Sequence, residues 1–159
     1  MSILLTRNFI FSALSIMMIS LLMISFVHTQ NASAQQGSSS QTVYLQRLYS
    51  IMTELSQVGQ DVSKKAVKLQ SAPEEKCVNE FGFYQGITSS LRSKLSITIQ
   101  PQRLQPLHVK SMDGLSNYLT GLNLYSSACV DKDYAMKAKL VDRGSSYISK
   151  AGRLPGWQS

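Results

Sequence analysis

The stretch Val43–Leu69, VYLQRLYSIMTELSQVGQDVSKKAVKL, decides the fold class. Within it Leu45, Leu48, Met52, Leu55, Gly59, Val62, Ala66 and Leu69 are separated alternately by three and four, and only Gly59 breaks the apolar character. That spacing places the residues on one side of an α-helix, so the stretch predicts a helix with a stripe for packing against other helices. A β reading has little to stand on. Ser96 to Ile99 alternates polar and apolar for only four residues, and no second such run is available to pair with it.

The same rhythm continues toward the carboxyl terminus. The first helix ends near Gln70, and Ser71-Ala72-Pro73-Glu74 has the spacing of a capping box with proline in the first turn. Cys77, Phe81, Tyr84, Leu91 and Leu95 form the stripe of a second helix, which Pro101 and Pro106 force to end around Ile99. Gly82 and Gly86, one turn apart, suit a close approach by a neighbouring backbone or ring. A third helix starts between Pro101 and Pro106 and carries Met112, Leu115, Leu119, Leu122 and Cys129. Asp131 or Asp133 can cap a fourth, with Tyr134, Ala138, Val141 and Ile148 facing inward and Gly152 to Gly156 ending the pattern. The fold class predicted is all-α: an antiparallel, up-down four-helix bundle with one disulfide, over residues 43–153.

The cysteines test this layout. Residues level with one another in an antiparallel hairpin lie equally far from its turn, and positions 77 and 129 have their midpoint at 103. That falls inside the Pro101–Pro106 connection, which was placed by proline stereochemistry without reference to cysteine. Cys77 and Cys129 are therefore predicted to be bonded across the second and third helices, as suits an exported chain.

Working toward the amino terminus, residues 1–34 have the pattern of an export signal. Arg7 is followed by the uncharged run Phe9–Val27 and then by Ala32-Ser33-Ala34, a small-x-small site for cleavage after Ala34. The run is 19 residues long, close to the roughly 20 that cross a bilayer, so an uncleaved membrane anchor is the rival reading. Residues 35–42, rich in Gln, Ser and Gly, are expected to form a flexible spacer. Asn31-Ala32-Ser33 matches a glycosylation acceptor that matters only if the segment stays uncleaved. Residues 154–159 form a short tail in which Trp157 either folds over the bundle end or serves as a docking point.

The whole chain has 159 residues and a net charge of +7, and removal of residues 1–34 leaves 125 residues and +6 because Arg7 is the one charge lost. That length suits a single domain. Of two histidines only His108 lies in this remainder, which rules out a two-histidine metal site, and no orienting acid and nucleophile accompany it as a triad would need. A haem held by His108 and one of Met52, Met112 or Met136 is arithmetically open. Asp131-Lys132-Asp133 starts like a calcium loop but continues with Ala135 and Met136 where a ligand and glycine belong. Cys-x-x-Cys, a phosphate-cradling glycine loop, a dinucleotide fingerprint and Ser-x-x-Lys are all absent from the sequence. No catalytic residue, metal ligand or cofactor is therefore nominated.

The basic surplus is the remaining functional signal. Lys132, Lys139, Arg143 and Lys150 fall at helical spacing on the fourth helix, and Lys64, Lys65 and Lys68 form a second cluster on the first. In an exported protein such charge suits an anionic surface polymer, lipid head groups or an acidic protein partner, and not nucleic acid. Contact with the membrane core comes only through residues 9–27, if they are uncleaved. Tyr118 and Tyr125 share a face of the third helix with Gly114 and Gly121, which either lines a shallow ligand groove near His108 or receives the fourth helix. The functional expectation is a secreted or surface-tethered, non-catalytic binding or cell-envelope module. The rivals are a small-ligand or haem carrier using the bundle interior and a hydrolase built from converging Ser, Asp and Lys.

Overall fold

The computed structural model describes residues 38–69 and 71–152. The expected export segment 1–34, the first residues of the spacer, and the tail 154–159 with Trp157 lie outside them. The described residues form α1 (Ser38–Leu69), α2 (Glu74–Ser96), a 3-10 turn (Gln102–Leu104), α3 (Gln105–Val130) and α4 (Tyr134–Ala151), with no strand among them. The all-helical class, four helices and the Cys77–Cys129 disulfide agree with the sequence.

The stripe of α2 is the predicted one. Cys77, Phe81, Tyr84, Leu91 and Leu95 are all buried, and Thr88 completes the series. Thr88 tolerates this because its Oγ1 donates to the Tyr84 carbonyl at 2.8 Å, a bond made within the helix itself. On α1 the buried residues are Tyr44, Leu48, Ile51, Ser56, Val58, Gly59, Val62 and Ala66, while Leu45 and Met52 are half-buried. The predicted stripe thus holds at Leu48, Gly59, Val62 and Ala66, and near the amino-terminal end it turns by about one residue, to Tyr44 and Ile51 in place of Leu45 and Met52, because Tyr44 brings a large ring into the core. Ser38–Thr42 belong to α1, so helix replaces spacer over those five positions.

Two helix ends differ from expectation. The capping box at Ser71 does not form: α2 starts at Glu74 with Pro73 as its cap, no side chain caps it, and the Cys77 N–H closes the first turn on the Pro73 carbonyl at 3.0 Å. Proline at the cap holds an extended ψ of 144°, which sets the helix start one turn beyond Ser71. α2 also stops at Ser96, before Ile99. The β-branched run Ile97-Thr98-Ile99 is a poor helix continuation, and the Ser96 and Thr98 hydroxyls donate to the carbonyls of Ser93 and Lys94 at 2.9 and 2.7 Å. At the start of α4, Asp133 caps as predicted, accepting from the Ala135 and Met136 N–H groups at 2.8 and 3.4 Å. Asp131 accepts from the Asp133 N–H at 2.8 Å and shapes the preceding turn.

On α4 the inward residues are Val141, Gly144 and Ala151, with Ile148 half-buried. Tyr134 was expected inside and is instead 86% exposed, and Ala138 is exposed too. Tyr134 is the first residue of the helix, and a side chain there leans back past the helix end, away from the core.

Two clusters of buried side chains divide the interior. Around the disulfide all four helices contribute: Val58, Val62 and Ala66; Cys77, Phe81 and Tyr84; Tyr118, Leu122 and Tyr125; and Val141 with Ala151. Toward the 3-10 turn only three do, through Tyr44, Leu48, Ile51, Leu91, Leu95 and Leu115, closed by Leu104, Leu107 and Met112. The short α4 covers one part of the molecule and leaves the other end three helices thick.

Candidate functional site

Three regions carry the residues that the sequence singled out. At the first, the disulfide joins buried Cys77 of α2 to half-buried Cys129 of α3, with Cα atoms 5.7 Å apart. Beside it lies a cavity of about 20 Å³ lined by Ala66, Phe81, Tyr125, Ala128 and Val141, with Lys137 at its edge. Binding pockets for small molecules run to roughly 300–1,000 Å³, so this cavity is an imperfection of packing and not a ligand chamber.

The second region is the outer face of α4. Lys139, Arg143 and Lys150 are exposed on it, opposite Val141, Gly144 and Ala151, and none pairs with a carboxylate among the described residues. Lys132 is exposed too, but it sits in the connection before α4 and not on the helix, because the cap at Asp133 starts the helix later. Lys150 Nζ lies 5.0 Å from the centre of the Tyr147 ring, which anchors its stem against the surface. The Lys64, Lys65 and Lys68 cluster is less available. Lys65 bonds Glu80 at 3.0 Å and stands 5.5 Å from the Tyr84 ring centre. Its ammonium pKa is pushed up to about 12, first by Tyr84 and then by Glu80.

The third region was expected to gather His108, Tyr118 and Tyr125, and it does not. They lie on α3 over 17 positions, which is about 25 Å of helix. Tyr125 is buried against α4, its hydroxyl 2.8 Å from Ser145 Oγ and its ring 5.4 Å from that of Phe81. Tyr118 is buried beside it, and no described protein group pairs with its hydroxyl. Burial drives both phenol pKa values up, so neither is an acid or base near neutral pH. The small residues between them serve packing: a Cβ on Gly121 would stand 2.8 Å from the Gly144 carbonyl oxygen. The groove alternative is therefore filled by α4.

Gly82 and Gly86 correct a second expectation. Both are exposed and have no neighbour within 4 Å of a would-be Cβ, so the close approach is made by Gly121 and Gly144 instead.

His108 has a partner that periodicity alone did not select. The Tyr44 hydroxyl lies 3.2 Å from His108 Nδ1, joining the start of α1 to the start of α3. Burial lowers the His108 pKa from its ordinary value, since the cation loses water. The folded state thus binds this proton more weakly than the unfolded chain does. The contribution to stability is complete above the ordinary value of 6.5 and is lost as pH falls through the lower folded value. Wild-type protein is expected to melt at a lower temperature at pH 5 than at pH 7.5, and His108→Asn is expected to show a smaller drop. Equal drops in calorimetry would remove His108 as the source.

Among the described residues no group of three His, Cys, Asp or Glu side chains is placed to hold a metal ion, and no helix is long and apolar enough to cross a membrane. Compared with family models, with curated proteins and with solved structures, the chain matches none.

Proposed function

We propose that the chain is an exported, non-catalytic helical module of the cell envelope, secreted or tethered at the surface, that binds an anionic partner through the outer face of α4. The observation that carries the location is the Cys77–Cys129 disulfide, a bond that an oxidising, extracytoplasmic compartment sustains. The signal-like residues 1–34 supply the route. The arrangement proposed is up-down-up-down. It is supported by Lys65–Glu80 across α1 and α2, by Gln85–Leu122 and Arg92–Ser116 across α2 and α3, and by Tyr125–Ser145 across α3 and α4.

Binding is assigned to Lys139, Arg143 and Lys150 because they are exposed, unpaired among the described residues, and backed by a rigid helix whose other face is packed. The partner chemistry is an anionic surface polymer, a lipid head group or an acidic protein segment. Purified full-length chain is expected to be retained on immobilised dextran sulfate and released by moderate salt. The triple variant Lys139→Glu, Arg143→Glu, Lys150→Glu is expected to elute near the neutral-dextran position with an unchanged helical circular dichroism spectrum. Unaltered retention of that variant would remove the α4 face. Recovery of the native protein from a cytoplasmic fraction, with both cysteines alkylatable before reduction, would remove the exported role.

A further inference from the structure

The end of the molecule away from the disulfide carries apolar side chains that nothing covers among the described residues. Ile97 is 83% and Ile99 is 91% exposed, in the connection between α2 and the 3-10 turn. The connection is not loose. The Thr98 N–H donates to the Leu95 carbonyl at 3.0 Å, its Oγ1 donates to Lys94 at 2.7 Å, and Thr98 itself is buried. Tying the middle residue inward leaves the two isoleucines directed outward. Val43 and Val109, half-exposed beside Tyr44 and His108, extend the apolar surface.

The charge around this tip is mainly positive. No Asp or Glu occurs before Glu54 or between Glu80 and Asp113, whereas Arg47, Arg92, Lys94, Arg103 and Lys110 all fall within those stretches. Arg103 and Lys110 are exposed and pair with no carboxylate among the described residues, and Lys94 shares Glu54 at 3.5 Å with both groups partly exposed. The disulfide end, by contrast, mixes Glu74, Glu75, Asp131 and Asp133 with its lysines.

The chain also enters at this end. Tyr44 and Leu48 of α1 pack with Leu95, Leu104 and Leu107, so Ser38, where α1 starts, lies on the side of Ile97 and Ile99. The uncharged run Phe9–Val27 ends only about ten residues before Ser38. Outward apolar residues, a mainly cationic surround and an apolar segment joined to the same end suit one partner: a bilayer with anionic head groups. We propose that the Ile97–Ile99 tip rests in the head-group layer of an anionic membrane, with Arg103 and Lys110 on lipid phosphates, so that α1–α4 stand with the disulfide end outward. This rests on the envelope-associated reading above and specifies its membrane-facing end.

Full-length chain with Trp157→Phe, which removes its one native tryptophan, provides a silent background. Ile99→Trp reports on the tip, and Tyr134→Trp, also highly exposed, reports on the opposite end about 30 Å away along α2. Both are incorporated into vesicles whose phosphatidylcholine carries brominated acyl chains, with and without phosphatidylglycerol. Emission from Trp at position 99 is expected to fall roughly twofold in the anionic vesicles and distinctly less in the neutral ones, while position 134 is unchanged. Equal quenching at 99 and 134, or none at 99 while the chain stays on the vesicles, overturns the tip but leaves the envelope role. Equal quenching at 99 in both lipids overturns the cationic selection. Chain recovered free of vesicles overturns the tip, and dextran sulfate retention then decides the α4 reading separately.

Discussion

Cys77→Ser together with Cys129→Ser lowers the stability of the fold by about 4 kcal/mol, the entropy that a closed loop of this length withholds from the unfolded chain. The cysteines are 52 positions apart, and Cys77 is buried, so a serine hydroxyl there adds the cost of an unpaired polar group, roughly 1–3 kcal/mol if no partner is found. A domain of this size commands about 5–15 kcal/mol in total, so the loss is a large share of what holds it folded. In urea the midpoint drops by about 1.5–3 M with only a small change in slope, and the melting temperature by on the order of 15 °C. Wild-type protein treated with reductant follows the variant. The location of the effect is also specific. Hydrogen exchange rises first in the opening turns of α2 and the closing turns of α3, which the bond clamps, while amides near Leu91, Leu95 and Leu115 keep their protection in the separate three-helix cluster. A loss below about 1 kcal/mol would mean that packing at Phe81, Tyr125 and Val141 already fixes the hairpin without the bond.

Why that bond was legible from the sequence, while other features were not, has a physical explanation. Proline geometry located the turn between α2 and α3, and equal spacing from a turn then made Cys77 and Cys129 neighbours. Both signals are local to one hairpin. The stripe of α2 was legible for the same reason, since its partners lie on both sides and leave one well-defined inner face. α1 packs chiefly on α2, and a three-four pattern cannot say whether 44/51 or 45/52 points inward when both sets are apolar. The Tyr44 ring settled it. Tyr134 failed because an inward phase says nothing about a residue that sits at a helix's first position. The glycines were recognised as a motif but assigned to the wrong pair. Gly82 and Gly86 have ideal spacing on one helix, whereas Gly121 and Gly144 meet across two, and contact between helices is invisible to a reading of each alone. The candidate sites divide in the same way. Lys139, Arg143 and Lys150 are legible because helical spacing is enough to group them, while Lys132, grouped with them by the same spacing, falls before the helix. The Ile97–Ile99 tip is not, because its meaning depends on which end of the bundle receives the amino terminus, a relation between residues about 60 positions apart.

Gly121→Ala is expected to destabilise the protein although alanine is the better helix former. Its Cβ would stand 2.6 Å from Ile148 Cγ1 and 2.8 Å from the Gly144 carbonyl oxygen. Ile148 can turn aside, but the oxygen belongs to the backbone of α4 and yields only if the helices separate. Gly144→Ala meets the Tyr125 ring at 2.7 Å and the Gly121 carbonyl at 3.0 Å, so it strains the same contact from the other side. Overpacking of this kind costs about 1–3 kcal/mol, which exceeds the roughly 1 kcal/mol that alanine gains over glycine in a helix. The two substitutions should not add. Once the first has pushed α4 away from α3, the second Cβ enters a gap already opened, so the double variant loses less than the sum, by about 0.5 kcal/mol or more. The controls lie on α2, where Gly82→Ala and Gly86→Ala meet open space and should each raise stability by about 0.5–1 kcal/mol. Urea unfolding of the five variants reads all of this directly. If Gly121→Ala stabilises as Gly82→Ala does, α4 does not pack on α3 through these glycines, and the Tyr125–Ser145 bond goes with it. If it destabilises and the pair is sub-additive, one backbone contact holds α4 in place, and the orientation of its basic face follows from the absence of two side chains.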